Sequence, residues 1–282
     1  MPSAATTTLV ADLGFPESPR WRDGRLWFSD FHDRCVRTVT PEGAVETVLE
    51  LADSPSGLGW TPAGDLLVVS MVERTLLTVT DGRATPFADL TGHTLFRAND
   101  LVVDAAGRAY VSSFGFDLVN GASPEPTYLV RVDPDGTVSL ATDGVVFPNG
   151  LALSPDGRTL VVAETYAARL TAFDVDDDGG LSGRRVFADL GEGVAPDGIC
   201  LDAEGAVWLA TARTPEVLRV VEGGEVVDRV PVGSEQLSYA CMLGGDDGRT
   251  LFVCTAPTWA PGGPRAGRIE TARVDVPHAG RP

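Results

Sequence analysis

The sequence predicts an all-β chain folded as a six-bladed β-propeller with four-stranded blades. Three observations predict it: a phrase repeated six times, strand-like pairs after each copy, and an N-terminal segment that matches the last strands of two repeats. The phrase is a glycine turn followed by an apolar run, as in Asp23-Gly24-Arg25-Leu26-Trp27-Phe28 and Asp247-Gly248-Arg249-Thr250-Leu251-Phe252. Its glycines, Gly24, Gly64, Gly107, Gly157, Gly205 and Gly248, are 40, 43, 50, 48 and 43 residues apart. That interval suits four short strands and their turns, which is one blade.

Two further strands follow each copy. Leu76-Leu77-Thr78-Val79 precedes Ala84-Thr85-Pro86-Phe87, and Val217-Leu218-Arg219-Val220 precedes Glu225-Val226-Val227. Turn dipeptides such as Asp81-Gly82 and Asp135-Gly136 stand at the joins, and no helical period is sustained. The fourth strands Pro86-Phe87-Ala88-Asp89-Leu90 and Val186-Phe187-Ala188-Asp189-Leu190 resemble Leu9-Val10-Ala11-Asp12-Leu13, which has no preceding strands of its own. The sixth repeat holds only three strands, the third near residues 268–276. The N-terminal strand is therefore expected to complete that blade and close the ring, with 1–282 forming a single domain.

Composition narrows the function. Hydrophobic residues make up 43% and charged residues 22%, an ordinary globular balance, and no apolar run is long enough to span a membrane. The first eight residues lack the basic and apolar regions of a secretory signal, so a cytoplasmic location is expected. A formal net charge of −18 is repelled by nucleic acid and by anionic membranes, and both are excluded as partners. All 22 basic residues are arginine, which excludes lysine Schiff-base chemistry and a covalent pyridoxal phosphate link. Cys35, Cys200, Cys241 and Cys254 lack metal-type spacing and read as buried thiols. His32, His93 and His278 are too scattered for a histidine metal site.

In a propeller the innermost strand of each blade lines the central channel, so residues just before each glycine turn occupy matched places. Eight positions back from the glycine stand Ser56, Asn99, Asn149, Asp197 and Ala240, and seven back in the first repeat stands Glu17. Two carboxylates and two amides converging from different strands make an oxygen cage for a hard divalent cation. Ca²⁺ is the expected ion, with Mg²⁺, Mn²⁺ or Zn²⁺ as alternatives. Without an ion, two carboxylates on one axis would repel and at least one would have a raised pKa. Taken singly, Asn149-Gly150 and Asp197-Gly198 read as turn dipeptides. The matched offsets across repeats favour the cage.

Gly14-Phe15-Pro16-Glu17-Ser18-Pro19-Arg20-Trp21, Arg97-Ala98-Asn99-Asp100, Pro148-Asn149-Gly150-Leu151 and Pro196-Asp197-Gly198-Ile199-Cys200-Leu201-Asp202-Ala203-Glu204-Gly205, with Ala240-Cys241-Met242-Leu243-Gly244-Gly245 later, resemble the signature segments of the senescence-marker-protein (regucalcin), gluconolactonase and luciferin-regenerating-enzyme family. The resemblance implies metal-dependent hydrolysis of sugar lactones or related esters on a six-bladed propeller. It implies Glu17, Asn149 and Asp197 as metal ligands, Asn99 as a residue that binds the metal or the substrate, and Arg97 as a substrate contact. It also makes Asp197 the base or nucleophile. Two positions depart from the family pattern: Leu101 replaces a common glycine and is expected to narrow the pocket, and a substrate-contacting acidic residue has Asp117 and Glu125 as its candidates.

Further expectations follow from position. Glu164 and Tyr166, after the fourth repeat's second strand, are candidate substrate contacts at the channel mouth. Ser56 is either a supporting polar group or small-residue packing, and His93 is expected to face solvent. Trp27, Trp60 and Trp208 are expected to pack blades. The loops 115–127 and 257–267 are candidate lids. The expected partner is a small lactone or ester, on a monomer or small homo-oligomer. A fold hosts many functions, so phosphotriester hydrolysis, action on a secondary-metabolite intermediate, a metal-free strictosidine-synthase-like enzyme and a non-catalytic binding propeller stand as alternatives.

Overall fold

The structure is a computed structural model that describes residues 5–233, 235–260, 262–263 and 265–280. Its strands form six four-stranded antiparallel sheets set round one axis. After β1 (Thr7–Leu13), blade one is β2 (Pro16–Arg22), β3 (Arg25–Asp30), β4 (Cys35–Val39) and β5 (Val45–Glu50). Blade two is β6 (Pro55–Trp60), β7 (Leu66–Ser70), β8 (Thr75–Thr80) and β9 (Arg83–Asp89). Blade three is β10 (Ala98–Val103), β11 (Ala109–Ser113), β12 (Pro126–Val132) and β13 (Val138–Val146). Blade four is β14 (Pro148–Leu153), β15 (Thr159–Glu164), β16 (Arg169–Val175) and β17 (Leu181–Asp189). Blade five is β18 (Ile199–Leu201), β19 (Val207–Ala210), β20 (Glu216–Val220) and β21 (Val226–Pro231). Blade six is β22 (Leu237–Gly244), β23 (Thr250–Ala256) and β24 (Gly267–Arg273), and β1 supplies its outermost strand.

The repeated glycines do what the phrase required. Gly24, Gly64, Gly107, Gly157, Gly205 and Gly248 all adopt positive φ, between 72° and 94°, in the turn that joins the first two strands of each blade. Closure is as expected: Thr8 faces Glu270 and Leu13 faces Gly267 across β1 and β24. The inner strands β2, β6, β10, β14, β18 and β22 contact one another in turn, and β22 returns to β2.

Apolar side chains of neighbouring blades fill the spaces between sheets. Trp27 meets Trp60 edge-on at 5.4 Å between blades one and two, and Trp21 stacks on Phe252 at 5.2 Å between blades one and six. Trp208 and all four cysteines are buried, the cysteines as free thiols. Among the described residues no helix is long and apolar enough to cross a membrane.

Near the axis the inner strands run unusually close. A Cβ on Gly150 would lie 2.5 Å from the Asp197 carbonyl oxygen, and one on Gly198 would lie 2.4 Å from the Ala240 Cβ. Asn149-Gly150 is therefore part of strand β14 rather than a turn, and its glycine lets blades four and five touch backbone to backbone. Gly150→Ala is expected to cost about 1–3 kcal/mol by overpacking. Urea unfolding measures the loss, with the midpoint falling at unchanged slope.

Candidate active site

In five of the six blades the pairing of the inner strand with the second strand slips near its start, whereas β18 pairs with β19 in unbroken register. The register shifts between Glu17 and Arg20, Pro55 and Leu58, Ala98 and Leu101, Pro148 and Leu151, and Ser238 and Ala240. Such irregularities re-aim side chains out of the regular pleat. They fall at the level where the sequence offsets put Glu17, Ser56, Asn99, Asn149 and Ala240. Glu17, Asn99, Asn149 and Asp197 line one cavity of about 640 Å³, and each is less than a tenth exposed.

A chain of hydrogen bonds runs round the axis from blade to blade. The Ser56 hydroxyl donates to Asn99 Oδ1 at 3.2 Å, Asn99 Nδ2 donates to Asn149 Oδ1 at 2.8 Å, and Asn149 Nδ2 donates to Thr165 Oγ1 at 3.2 Å. Thr165 passes its own proton to the Pro196 carbonyl at 2.8 Å, one residue before Asp197. Asn99 thus spends its amide on Asn149 and has its oxygen engaged by Ser56. Asn149 is engaged in the same way by Asn99 and Thr165, and each amide oxygen keeps a second lone pair.

The two carboxylates are electrostatically unsettled. Burial pushes the Glu17 carboxyl up to about 8, against the backbone N–H of Ser18 that bonds it at 2.8 Å, with the Asp100 charge adding to the rise. Burial also raises Asp197 well above the carboxylate range, and the like charges of Glu17 and Asp100 raise it further, while Asn149 lowers it. Neither forms an ion pair among the described residues. Asp100 does: Arg20 Nη2 reaches its Oδ1 at 2.7 Å and the Leu101 carbonyl at 2.7 Å. Arg20 therefore answers Asp100, and Glu17 and Asp197 are left with two negative charges and oxygen donors from amides. Among the described residues no three histidine, cysteine or acidic side chains gather as a metal group, so a cation here would take amide as well as carboxylate oxygens. A hard divalent cation fits the set, because it takes carboxylate and amide oxygens and cancels both charges.

Arg97 and Tyr166 line the same cavity. Glu164 does not, and its expected substrate contact is corrected. Its carboxylate is fully buried, accepting bonds from Arg169 Nε at 2.8 Å, from the Val146 N–H at 2.8 Å and from the Thr171 hydroxyl. Burial alone would raise this carboxyl, but those bonds outweigh it and hold it below the ordinary value. Glu164 braces the bend before β14, where Phe147 turns into the cavity with φ of 49°, a left-handed conformation that a bulky residue rarely adopts. Glu164→Ala should destabilise by about 1–3 kcal/mol, since it leaves the buried Thr171 hydroxyl and the Val146 N–H without their acceptor while Arg169 can turn to solvent. Thermal melting reads the loss, and KM should rise more than kcat falls because Phe147 loses its support.

Other expectations are corrected too. Leu101 does not narrow the cavity: its side chain is buried between blades two and three, where a Cβ on Gly59 would lie 2.6 Å from it. Neither acidic candidate lines the cavity. Asp117 caps the short 3-10 turn Leu118–Asn120 through the Asn120 N–H at 3.2 Å, and Glu125 is exposed. His93 is half-buried rather than exposed and lies away from the cavity. Both expected lid loops contribute to the rim, 115–127 through Leu118 and Val119 and 257–267 through Trp259, although residues 261 and 264 lie outside the described residues.

Sequence reasoning missed the Arg20–Asp100 pair. Its signal was available: an arginine three residues after Glu17 and an aspartate next to Asn99, both in otherwise buried strands. It also missed the aromatic wall, in which Phe114 and Phe147 lie 4.7 Å apart and Phe147 and Tyr166 5.3 Å apart, because these rings come from separate loops.

The chain is similar to known proteins in sequence and fold. The chain is 28% identical to the pentonolactonase of Haloferax volcanii, over 98% of this chain and 97% of the relative. It superposes on a gluconolactonase structure from Xanthomonas campestris with a TM-score of 0.75 at 26% identity, covering 94% of this chain and 88% of that one. It also superposes on a regucalcin structure from Agrobacterium tumefaciens, described as calcium-binding, with a TM-score of 0.83 at 22% identity over 100% and 97% of the two chains. The family profile described as the SMP-30/Gluconolactonase/LRE-like region matches residues 15–257, and the chain belongs to that family.

Proposed function

We propose that this chain, working as one domain, is a lactonase whose site holds one divalent cation between Glu17, Asn149 and Asp197. The observation that carries the reading is the buried pair Glu17 and Asp197, two like charges with no arginine partner, in a cavity that opens to solvent. Ca²⁺ suits the all-oxygen set best, and Mg²⁺ or Mn²⁺ is accommodated by the same atoms. When bound, the cation supplies Lewis-acid polarisation of the ester carbonyl.

The chain's own groups do the rest. Asp197 accepts the proton of the attacking water as that water's oxygen bonds the carbonyl carbon. The ring C–O bond then breaks, and the proton passes to the departing alkoxide, giving a hydroxy acid. Asn99 holds Asn149 in place, Arg97 orients the substrate, and Asp100, paired with Arg20, sits behind the site. The lactonase names of the relatives support this reaction class, and sugar lactones are the substrates those names suggest.

Elemental analysis of protein purified without added metal, paired with a pH-stat assay on a panel of lactones and a phosphotriester with and without chelator, tests the proposal. One bound equivalent of an oxygen-seeking cation and a chelator-sensitive lactonase activity are expected. Full activity after metal removal, or activity confined to the phosphotriester, would sink it.

A further inference from the structure

We propose that the lactone or ester taken by this site carries a bulky apolar group, aromatic or alkyl, together with an anionic group, rather than hydroxyls round a sugar ring. The inference rests on the hydrolase reading above and concerns the walls of the cavity rather than its axial end. Every sugar hydroxyl is both donor and acceptor, and burying one without partners costs free energy. The walls meet that need poorly. Phe114, Phe147 and Tyr166 form one side as a continuous set of ring contacts, and Phe15 packs edge-on to Tyr239 at 4.7 Å on another.

Two polar groups of the wall are already engaged. The Asp53 carboxylate accepts the N–H groups of Ser54, Val72 and Glu73 and the Ser70 hydroxyl. Thr165 is committed to Asn149 and Pro196. Apart from the axial pair Glu17 and Asp197, the carboxylate that lines the cavity among the described residues is this occupied Asp53, while Asp117 lines the adjoining space.

The space itself suits a larger ligand. At about 640 Å³ the cavity lies within the roughly 300–1,000 Å³ typical of sites that enclose drug-sized molecules. A second cavity of about 310 Å³ adjoins it, sharing Val72, Arg97, Phe114, Leu118 and Val119. An apolar substituent extending from the axis past Arg97 enters this annex.

Charge supplies the second half. Arg34, Arg97 and Arg213 line the cavity, and none pairs with a carboxylate among the described residues. Arg34 donates to the Ala52 carbonyl, Arg97 lies 3.9 Å from the Met71 sulfur, and Arg213 lies over the Tyr166 ring at 5.8 Å. On a chain of net charge −18, three unpaired cations gathered at one opening make a local field that draws anions in.

Two measurements separate this inference from the reaction it rests on. The first compares kcat/KM for dihydrocoumarin, a carboxylate-bearing dihydrocoumarin and glucono-δ-lactone on the metal-loaded protein. The carboxylated aromatic lactone should exceed gluconolactone by about tenfold or more, with the neutral aromatic lactone between them, at the scale of one charge-assisted bond. Gluconolactone turned over as well as either aromatic overturns the inference and leaves the lactonase reading standing.

The second measurement needs no catalysis. Calorimetric titration with the ring-opened product 3-(2-hydroxyphenyl)propanoate and with gluconate should show the aromatic acid binding more tightly, and an Arg34→Gln/Arg213→Gln protein should lose about tenfold of that affinity. Equal binding of the two acids, or no binding of the aromatic one, overturns the apolar half, and an unchanged affinity in the double variant overturns the anionic half. If no lactone is hydrolysed while the aromatic acid still binds in preference, the reaction is wrong and the inference about the walls survives.

Discussion

Asp197→Asn is expected to lower kcat/KM by about 10²–10⁴ while the propeller stays folded. The substitution keeps shape and size, so the contacts of β18 with its neighbours persist and far-ultraviolet circular dichroism should be unchanged. What is lost is the carboxylate that accepts a proton from water, together with one of two anionic cation donors. In metal-free protein at pH 9 the same change should raise the melting temperature, because it removes one member of a buried like-charge pair. A variant that is inactive and more stable when stripped of metal separates a functional carboxylate from a structural one. Wild-type turnover in this variant would remove Asp197 from the reaction.

The second large effect is the dependence of stability on pH and cation. Glu17 ordinarily titrates near 4.5 and is pushed up to about 8 in the folded, metal-free protein, first by burial. An acid with a raised folded-state pKa binds its proton more tightly in the fold than in the unfolded chain. Its contribution is therefore fully present below pH 4.5 and drains away as pH climbs to about 8. Metal-free protein should melt progressively lower across that window, and Asp197 acts in the same sense.

A cation reverses the trend. It requires deprotonated ligands, so its affinity should increase with pH over the same interval, and its binding should release protons. At a concentration one hundredfold above Kd it adds about 2.7 kcal/mol, a rise of roughly 5–10 °C for a chain of this size. Melting curves at pH 5, 7 and 9 with Ca²⁺ or chelator measure both effects. A cation-induced rise that is largest at pH 5 would contradict the assignment.

The blades and the level of the axial donors were legible for the same reason. Each repeat carries its own turn glycine at a short, local offset from the strand that lines the channel, so counting along the chain was enough to gather Glu17, Asn99, Asn149 and Asp197. The closing strand was readable because Leu9-Val10-Ala11-Asp12-Leu13 repeats the phrase of two fourth strands. What failed depended on contacts between distant segments. Glu164 sits two positions before Tyr166, yet one is sealed behind Arg169 while the other faces the cavity, because Glu164 ends the strand and Tyr166 lies in the 3-10 turn Thr165–Ala167. Leu101 follows Asn99 and Asp100 but points into the gap left by Gly59 in the preceding blade, which no offset within one repeat reveals.

The shared sixth blade has a consequence for how the molecule comes into being. Thr7 and its partner Thr271 are 264 residues apart, so the first strand leaves the ribosome long before the strand it must join. At about 5–20 residues per second, it waits for tens of seconds with its ladder groups unpaired. The charge of Asp12 and the two register shifts along Thr7–Leu13 make that waiting edge a poor template for neighbouring nascent chains.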